Sequence, residues 1–418
     1  MNVISKYPRS CQCTHALSQG RWALLLPLFL LSVATRAQRY EAGKVQLTIE
    51  RRGESRFASG FSAFTLPGHF IWGASVIRGH EDGRYYMFYA AMESGPTRPQ
   101  FNDAWLMGAK IGVAVSDTPY GGFRHLGFVF NADGYTPDRS AWDAQTASNP
   151  HIRYYDGRYY LYYCASRDTL PGDVVKGKLN RRNLLQQNQK IGVISFASVP
   201  DLLAGRYTRC DKPLIDPRTR VKDNNILNPS PAGTTPKPDN IIAVNPAMVY
   251  NARRGEYMLY FKGNVYDPGW RGVHGVAFSS RPDGPFRVSD HYVFEFKVED
   301  GRLLCAEDPY VWYHRKKKCY YAVFKDFTGD FTKGDPGLAI MYSKDGIEWK
   351  LPRHSLFMPL QLQLESGETV KVKRLERPQL VLDDNDEPIV LCAACSIDPI
   401  DGKKDGSCFN VQIPVTRR

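Results

Sequence analysis

The feature that most constrains this chain is a set of strand-like segments that recurs five times in the same order. The fourth set opens with residues 307–312 (EDPYVW), crosses a polar turn, and returns along residues 320–326 (YYAVFKD). A Gly-containing strand and a further turn then follow at residues 337–346. Short aromatic and β-branched runs bounded by Gly, Asp, Asn and Pro are typical of strands. The sequence therefore predicts an all-β fold.

The repeat length indicates how these strands are arranged. Comparable first-strand positions recur at intervals of 63 to 96 residues. Repeats of this size, each an antiparallel meander, predict a five-bladed β-propeller. A β-sandwich with coincidentally similar hairpins is the alternative, and it is less favoured because the order within a set holds in full four times. The positions compared are Ser75, Asn149, Asn245, Asp308 and Arg377.

The first 37 residues have the composition of an export signal. They contain four basic residues, no acidic residue, and an apolar run at residues 23–34. This pattern predicts a secretory signal peptide that is cleaved after Ala37, and twelve apolar residues are too few to span a bilayer. We therefore expect a secreted or periplasmic protein. Residues 38–418 should form one propeller domain, in which residues 38–68 are an N-terminal strap with a strand at residues 45–49.

Charge and cysteine content narrow the classes of partner. The formal net charge is +12, and it stays positive after removal of the leader, so anionic glycans are candidate partners. The sequence has no nucleic-acid recognition motif, Gly-rich nucleotide loop, serine nucleophile elbow or later membrane segment. Cys392 and Cys395 lack the second ligand pair of a zinc site. We interpret them as packed thiols, with a disulfide between this pair and Cys408 as the alternative.

The repeated motifs resemble those of a known group of enzymes. The Asn-Pro and Asp-Pro pairs, the segment DGRYYLYY at 156–163 and the segment SKDGIEW at 343–349 resemble the five-bladed propeller glycoside hydrolases, including families 43, 32, 62 and 117. The resemblance covers about residues 70–400 and implies an active site in the central funnel, where acidic residues at the inner-strand starts converge.

The sequence departs from the family 43 pattern at the expected acids. Family 43 enzymes typically carry a base aspartate in blade one, an orienting aspartate in blade two and an acid glutamate in blade three. Here blade one offers residues 72–75 (WGAS), blade two Asn149 and blade three Asn245. The family roles are therefore not transferred to these positions. If the chain is an enzyme, its acids have moved to other blades.

Glycoside hydrolysis requires one carboxylic acid and one carboxylate at the scissile bond. Carboxylates at the rim of the funnel, where the inner strands begin, are therefore the candidates. The alternatives are that Glu376 and Arg377 form a structural ion pair and that Asp143 caps a turn. Because successive strand residues face opposite sides, at most one of two adjacent acids is expected to face the funnel. The candidate catalytic residues are Asp143, Glu307, Asp308 and Glu376.

Polar and aromatic residues at the same rim are candidate substrate ligands, and they are Trp72, Asn149, Arg167, Asn245, Lys262, Lys325, Asp326 and Arg377. The leading hypothesis is a secreted glycoside hydrolase that acts on plant or algal oligo- or polysaccharides. The alternatives are a non-catalytic carbohydrate-binding propeller and a glycoside phosphorylase, in which the four cations of that set would bind phosphate. We expect no catalytic cofactor and no catalytic metal. A structural cation such as calcium in the propeller centre is considered, with His151 either its ligand or a packing residue.

Overall fold

The computed structural model describes residues 39–130, 138, 140–167, 180–222, 226–266, 270–297 and 301–418. The predicted signal peptide lies outside the described residues. Within the described part of the chain, five antiparallel sheets of four or five strands form the blades of a propeller, which confirms the predicted all-β, five-bladed fold. No helix among the described residues is long and apolar enough to cross a membrane.

The blades follow one another along the chain, and each begins with its innermost strand. Blade one consists of His69–Arg78, Tyr85–Glu93, Lys110–Ser116 and Arg124–Phe128. Blade two consists of Thr146–Tyr155, Arg158–Ser166, Lys190–Phe196 and Thr208–Arg209. Blade three consists of Val244–Asn251, Glu256–Tyr266, Trp270–Ser279 and Arg287–Val288. Blade four consists of Glu307–His314, Cys319–Asp326, Gly337–Ser343 and Trp349–Lys350, and Leu356–Pro359 also pairs with its third strand.

Blade five is closed by the N-terminal segment. Its strands are Arg374–Leu382, Pro388–Ser396 and Cys408–Arg417, and Tyr40–Ala42 adds the outer strand. Ala63–Phe64 pairs with the third of these strands as well. Each inner strand contacts the inner strand of the next blade, and that of blade five contacts that of blade one. Strands from both ends of the described chain therefore close the ring.

The remaining elements connect the blades. The predicted strand at residues 45–49 is wrong in its bounds, because Val45 makes only an isolated bridge to Leu364 and the strand is Thr48–Arg52. The short helices are Phe101–Met107, Arg181–Gln187 and Val199–Leu203. Three small two-stranded sheets pair Thr48–Arg52 with Ser55–Ser59, Glu295–Lys297 with Leu303–Cys305, and Gln361–Gln363 with Thr369–Lys371.

The aromatic second strands fill the cores between blades. Tyr86 and Phe88 of blade one pack with Ile152, Tyr159 and Phe196 of blade two in one buried cluster. Large aromatic side chains bury much apolar area, so this cluster stabilises the packing of blade one against blade two. Cys392, Cys395 and Cys408 are buried free thiols, which confirms the packed-thiol interpretation and not the disulfide.

A β-bulge interrupts every inner strand at the same place. Its central residue has a positive φ in all five blades, between 50 and 59° in blades two to five and 23° in blade one. Asn and Asp tolerate this conformation better than most residues, and in blades two to five a proline follows. The blade-one equivalent is Gly73 and not Ser75, so the sequence alignment of that blade was wrong by two residues. The bulge residues are Gly73, Asn149, Asn245, Asp308 and Arg377.

Candidate active site

The bulges surround a pocket of about 380 Å³ at the end of the propeller where the inner strands begin. All five inner strands contribute to its wall through the residue that precedes the bulge. These residues are Trp72, Ser148, Val244, Glu307 and Glu376. Four of the bulge residues line it as well, namely Asn149, Asn245, Asp308 and Arg377. The repeated backbone geometry therefore aims side chains from distant parts of the sequence at one hollow.

Hydrogen bonds join four of the five bulge residues into a ring. Asn149 Nδ2 donates to Asn245 Oδ1 at 2.7 Å, and Asn245 Nδ2 donates to Asp308 Oδ1. Arg377 Nη1 donates to the same Asp308 oxygen at 3.3 Å, and its Nη2 donates to the Asn149 carbonyl at 3.4 Å. A Cβ at Gly73 would lie 3.2 Å from Arg377 Cβ and Cγ. Glycine in blade one therefore leaves the space that Arg377 of blade five occupies.

A second layer of charge comes from the neighbouring strands. Lys325 is the register partner of Glu307 on the second strand of blade four, and Lys262 holds the equivalent place in blade three. Each lysine binds the glutamate of the next blade, so Lys262 pairs with Glu307 and Lys325 with Glu376. Arg374 Nη1 lies 3.3 Å from Glu376 Oε1. Ion pairs thus link blades three, four and five across the pocket wall.

The environment moves the pKa values of the adjacent acids in opposite directions. Burial would raise the pKa of Glu307, but the charges of Lys262 and Lys325 outweigh burial and hold this pKa below its ordinary value. Burial raises the pKa of Asp308, and the nearby Glu307 and Glu376 add to this rise against the opposing charge of Arg377. Two adjacent carboxyl groups whose pKa values are moved apart are the arrangement that acid–base catalysis needs.

Both adjacent acids face the pocket, contrary to the expectation that strand alternation would allow only one. The reason is the positive φ of Asp308, which breaks the alternation between its side chain and that of Glu307. Nine of the twelve candidate residues line the pocket. They are Trp72, Asn149, Asn245, Lys262, Glu307, Asp308, Lys325, Glu376 and Arg377.

The other three candidates lie elsewhere and make structural contacts. The buried Asp143 carboxylate pairs with Arg209 and accepts a hydrogen bond from Tyr163 Oη at 2.7 Å, so the structure does not bring it to the pocket. Arg167 donates to the Ser140 carbonyl. Asp326 accepts hydrogen bonds from the backbone of the loop that follows it. Sequence position alone placed these side chains at the rim, but each is engaged by structural partners outside the pocket lining.

Several lining residues were missed by the sequence analysis. Arg374 lies two residues before Glu376 on the same strand, so period-two alternation was a signal that could have identified it. Phe101 and Trp105 come from the helix Phe101–Met107, which lies between two strands of blade one and gave no signal. Phe327 follows the blade-four second strand directly. Together with Trp72, these rings give the pocket wall an apolar, aromatic component in addition to its charged groups.

His151 occupies the propeller centre beyond the pocket. Its Nδ1 lies 3.1 Å from Gln379 Oε1 and its Nε2 lies 3.3 Å from the Met248 carbonyl. Burial, aided by the charge of Arg153, holds the pKa of His151 well below its usual range, so the ring is neutral. The described residues contain no group of three or more His, Cys, Asp or Glu side chains placed to hold a metal ion.

The propeller has structural relatives among known proteins. No family model matches the chain. Zg3597, a family 117 glycoside hydrolase from the marine bacterium Zobellia galactanivorans, superimposes with a TM-score of 0.51 at 14% identity, covering 91% of this chain and 90% of its own. The fold is that of the five-bladed propeller glycoside hydrolases.

Two further comparisons agree with this fold. BT0996, in a complex with RGII, superimposes on the propeller with a TM-score of 0.57 at 13% identity, covering 87% of this protein and 92% of its own length. An extracellular endo-α-(1→5)-L-arabinanase of Thermotoga petrophila is 32% identical over a 103-residue alignment, and the match covers 22% of this chain. The chain spans only 20% of the length of that curated relative. These similarities identify the architecture, and the chemistry depends on the pocket itself.

Proposed function

We propose that this protein is a secreted glycoside hydrolase that cleaves glycosidic bonds of plant or algal oligo- or polysaccharides. The observation that carries the proposal is the sharing of one pocket by Glu307, Asp308 and Glu376, with the pKa values of the first two moved apart. Propeller hydrolases with which the fold is shared, and an extracellular arabinanase with local sequence similarity, support the choice of reaction class.

In the proposed mechanism Asp308 is the general acid. Burial raises its pKa, which favours the protonated form that delivers a proton to the departing glycosidic oxygen. Asn245 and Arg377 hold its Oδ1 and fix the orientation of the group. Glu307, kept ionised by Lys262, supplies the second carboxylate that attacks the anomeric carbon or activates water. The mechanism uses no cofactor.

Glu376 has a supporting role in this mechanism. Its carboxylate binds both Lys325 and Arg374, so it holds two cations at fixed places in the wall. The wall carries four cationic side chains, Lys262, Lys325, Arg374 and Arg377, against the three carboxyl groups of Glu307, Asp308 and Glu376. The remaining excess of positive charge favours substrates that contain sulfated or uronic acid sugars.

A panel of glycans tests the reaction directly. Purified protein without its leader is incubated with α-(1→5)-arabinan, rhamnogalacturonan oligosaccharides and sulfated algal oligosaccharides, with and without inorganic phosphate. We expect new reducing ends in phosphate-free buffer from at least one of them. A strict requirement for phosphate would instead establish a phosphorylase. The pocket offers less support for that reaction, because Arg167, one of the four cations expected to bind phosphate, lies outside it.

A non-catalytic carbohydrate-binding propeller is the second candidate. It is favoured by one observation, namely that Glu307, Asp308 and Glu376 all accept bonds from cations in this structure. This candidate predicts glycan affinity with no product. Calorimetric binding on the same panel separates the two, since binding without reducing-end release after prolonged incubation would overturn the hydrolase.

A further inference from the structure

Phe327 is the most exposed large hydrophobic side chain among the described residues, with 51% of its surface accessible, and yet it lines the pocket. Exposing a phenyl ring to water forfeits the free energy that burial would provide. Single exposed apolar residues are common on protein surfaces. At the mouth of a pocket, however, an exposed ring offers an apolar surface to whatever enters.

The loop that carries this ring is tightly fixed. Asp326 is 1% exposed and accepts hydrogen bonds through both carboxylate oxygens. Oδ1 accepts from the backbone nitrogens of Thr328 and Gly329 at 3.2 and 3.0 Å. Oδ2 accepts from those of Phe331 and Thr332, both at 3.0 Å. A buried carboxylate that satisfies four backbone donors locks the turn on which Phe327 stands.

The ring also borders the charged wall. Lys325 Nζ lies 3.7 Å from the centroid of the Phe327 ring and at the same time binds Glu376. The ammonium group is therefore shared between the aromatic face and the carboxylate. Phe327 thus stands directly beside the carboxylate-bearing part of the pocket and not on a remote edge of it.

We propose that Phe327 is the platform of a sugar-binding subsite at the pocket mouth, on which the apolar C–H face of one sugar ring packs. Asp326 is its positioning residue, because its four backbone bonds hold the platform in place. Stacking of this kind combines apolar burial with the attraction between C–H groups and the electron-rich ring face. The inference rests on the proposed function only in that the pocket binds carbohydrate.

Affinity measured without turnover tests the subsite. In an Asp308→Asn background, dissociation constants are measured by calorimetry for an α-(1→5)-arabinohexaose, a rhamnogalacturonan oligosaccharide and a sulfated agaro-oligosaccharide. Phe327→Ala should weaken the tightest of these about tenfold, since losing a stacked ring removes on the order of 50 Å² of apolar contact. Phe327→Tyr should restore affinity. Phe61→Ala is the control. It also removes a phenyl ring, but Phe61 is 41% exposed and lies outside the pocket, so affinity should stay unchanged.

Each outcome bears on a different proposal. Equal affinity of the Phe327→Ala and background proteins, or no binding of any probe, overturns the subsite. Loss of affinity in Phe327→Ala when the protein with Asp308 intact never releases product retains the subsite and overturns the hydrolase. Unfolding temperature is measured alongside, and a fall in Phe327→Ala greater than in Phe61→Ala would show a structural role instead. With Asp308 intact, Phe327→Ala should raise KM and leave kcat nearly unchanged.

Discussion

Blades four and five differ from blades one to three at a position that is otherwise the same in all five. The bulge has a positive φ in each, but blades four and five place Asp308 and Arg377 there, whereas the others place Gly73, Asn149 and Asn245. The preceding residue follows the same division, with Glu307 and Glu376 in blades four and five and uncharged residues elsewhere. The backbone supplies five similar positions, and the residue at each decides its chemistry.

The difference also shows how the site departs from the enzymes that it resembles. Family 43 enzymes are expected to carry acids in blades one to three, whereas here the described residues of these blades contribute no acidic side chain to the pocket lining. Arg377 extends over Gly73 and fills the space that a blade-one side chain would need. The acidic groups of the pocket thus lie on blades four and five. The five-bladed backbone is the same, but the blades that carry the acids differ.

The largest expected effect comes from removing the acid in blade four. Asp308→Asn keeps the size and the hydrogen bond to Asn245 but cannot donate the proton, so kcat should fall about 1,000-fold. Asp156→Asn is the matched control, because Asp156 also has a positive φ but lies in an exposed turn. Initial rates on the best substrate of the panel are the measurement. Retention of more than a tenth of the activity in Asp308→Asn would remove Asp308 from the mechanism.

The ring architecture was predictable because its signals are local and repeated. The Asn-Pro, Asp-Pro and Arg-Pro pairs identify the bulges of blades two to five, and each aligns correctly. Blade one has Gly73-Ala74 in place of such a pair, so no local signal distinguished it from Ser75. Glycine is required there by Arg377, which lies more than 300 residues later in the chain. A constraint of that kind exists only in the folded protein.

The site was predictable to the extent that strand position determines it. Lys262 and Lys325 were found because antiparallel pairing places the end of one strand beside the start of another. Asp143 was placed at the rim from its distance to Asn149, but the loop directs it to Arg209 instead. The alternation rule failed at Glu307 and Asp308, because a bulge redirects one side chain and leaves no mark in hydrophobic periodicity.

The next effect concerns the bulge of blade one. Gly73→Ala introduces a Cβ 3.2 Å from Arg377 at a φ of 23°. It should lower the free energy of unfolding by about 2 kcal/mol, through backbone strain and displacement of Arg377. Gly157→Ala also has a positive φ but meets nothing within 4 Å, so it isolates the backbone contribution. Urea denaturation should give a loss about 1 kcal/mol smaller for this control, and equal losses would show that Arg377 yields without cost.

A smaller effect tests how Lys262 of blade three lowers the pKa of Glu307 in blade four. Glu307 must be ionised, so activity is lost as pH falls through its lowered pKa. Lys262 is the largest charge that lowers this pKa. In Lys262→Gln the acid limb of kcat/KM should therefore move upward by about one pH unit. Lys190→Gln removes a lysine that pairs with Asp216 outside the pocket and should leave the limb in place. A downward shift would contradict the assignment of Glu307.

The smallest expected effect concerns the ion pairs that join blades four and five at the end of the inner strands away from the pocket. Glu387 Oε1 accepts from Lys317 at 2.7 Å and from Arg417 at 2.6 Å, and lies 3.0 Å from His314 Nε2. Burial would raise the pKa of Glu387, but the bonds from Lys317 and His314 outweigh it and lower the pKa to about 2. The resulting stability is fully present above the ordinary glutamate pKa and is lost as pH falls towards 2.

Glu387→Gln should therefore destabilise the protein by about 1 kcal/mol at pH 7, after allowance for solvent screening. The difference from the unmodified protein should shrink as pH falls from about 4 towards 2, because both then lack the charge. Asp156→Asn tests the corresponding turn of blade two, where Asp156 accepts a single bond from Tyr257 Oη at 3.2 Å. Its effect on urea denaturation should be smaller. Equal losses of unfolding free energy in Glu387→Gln and Asp156→Asn, independent of pH, would contradict the prediction. They would mean that the ion pairs of Glu387 stabilise blades four and five no more than a neutral contact does.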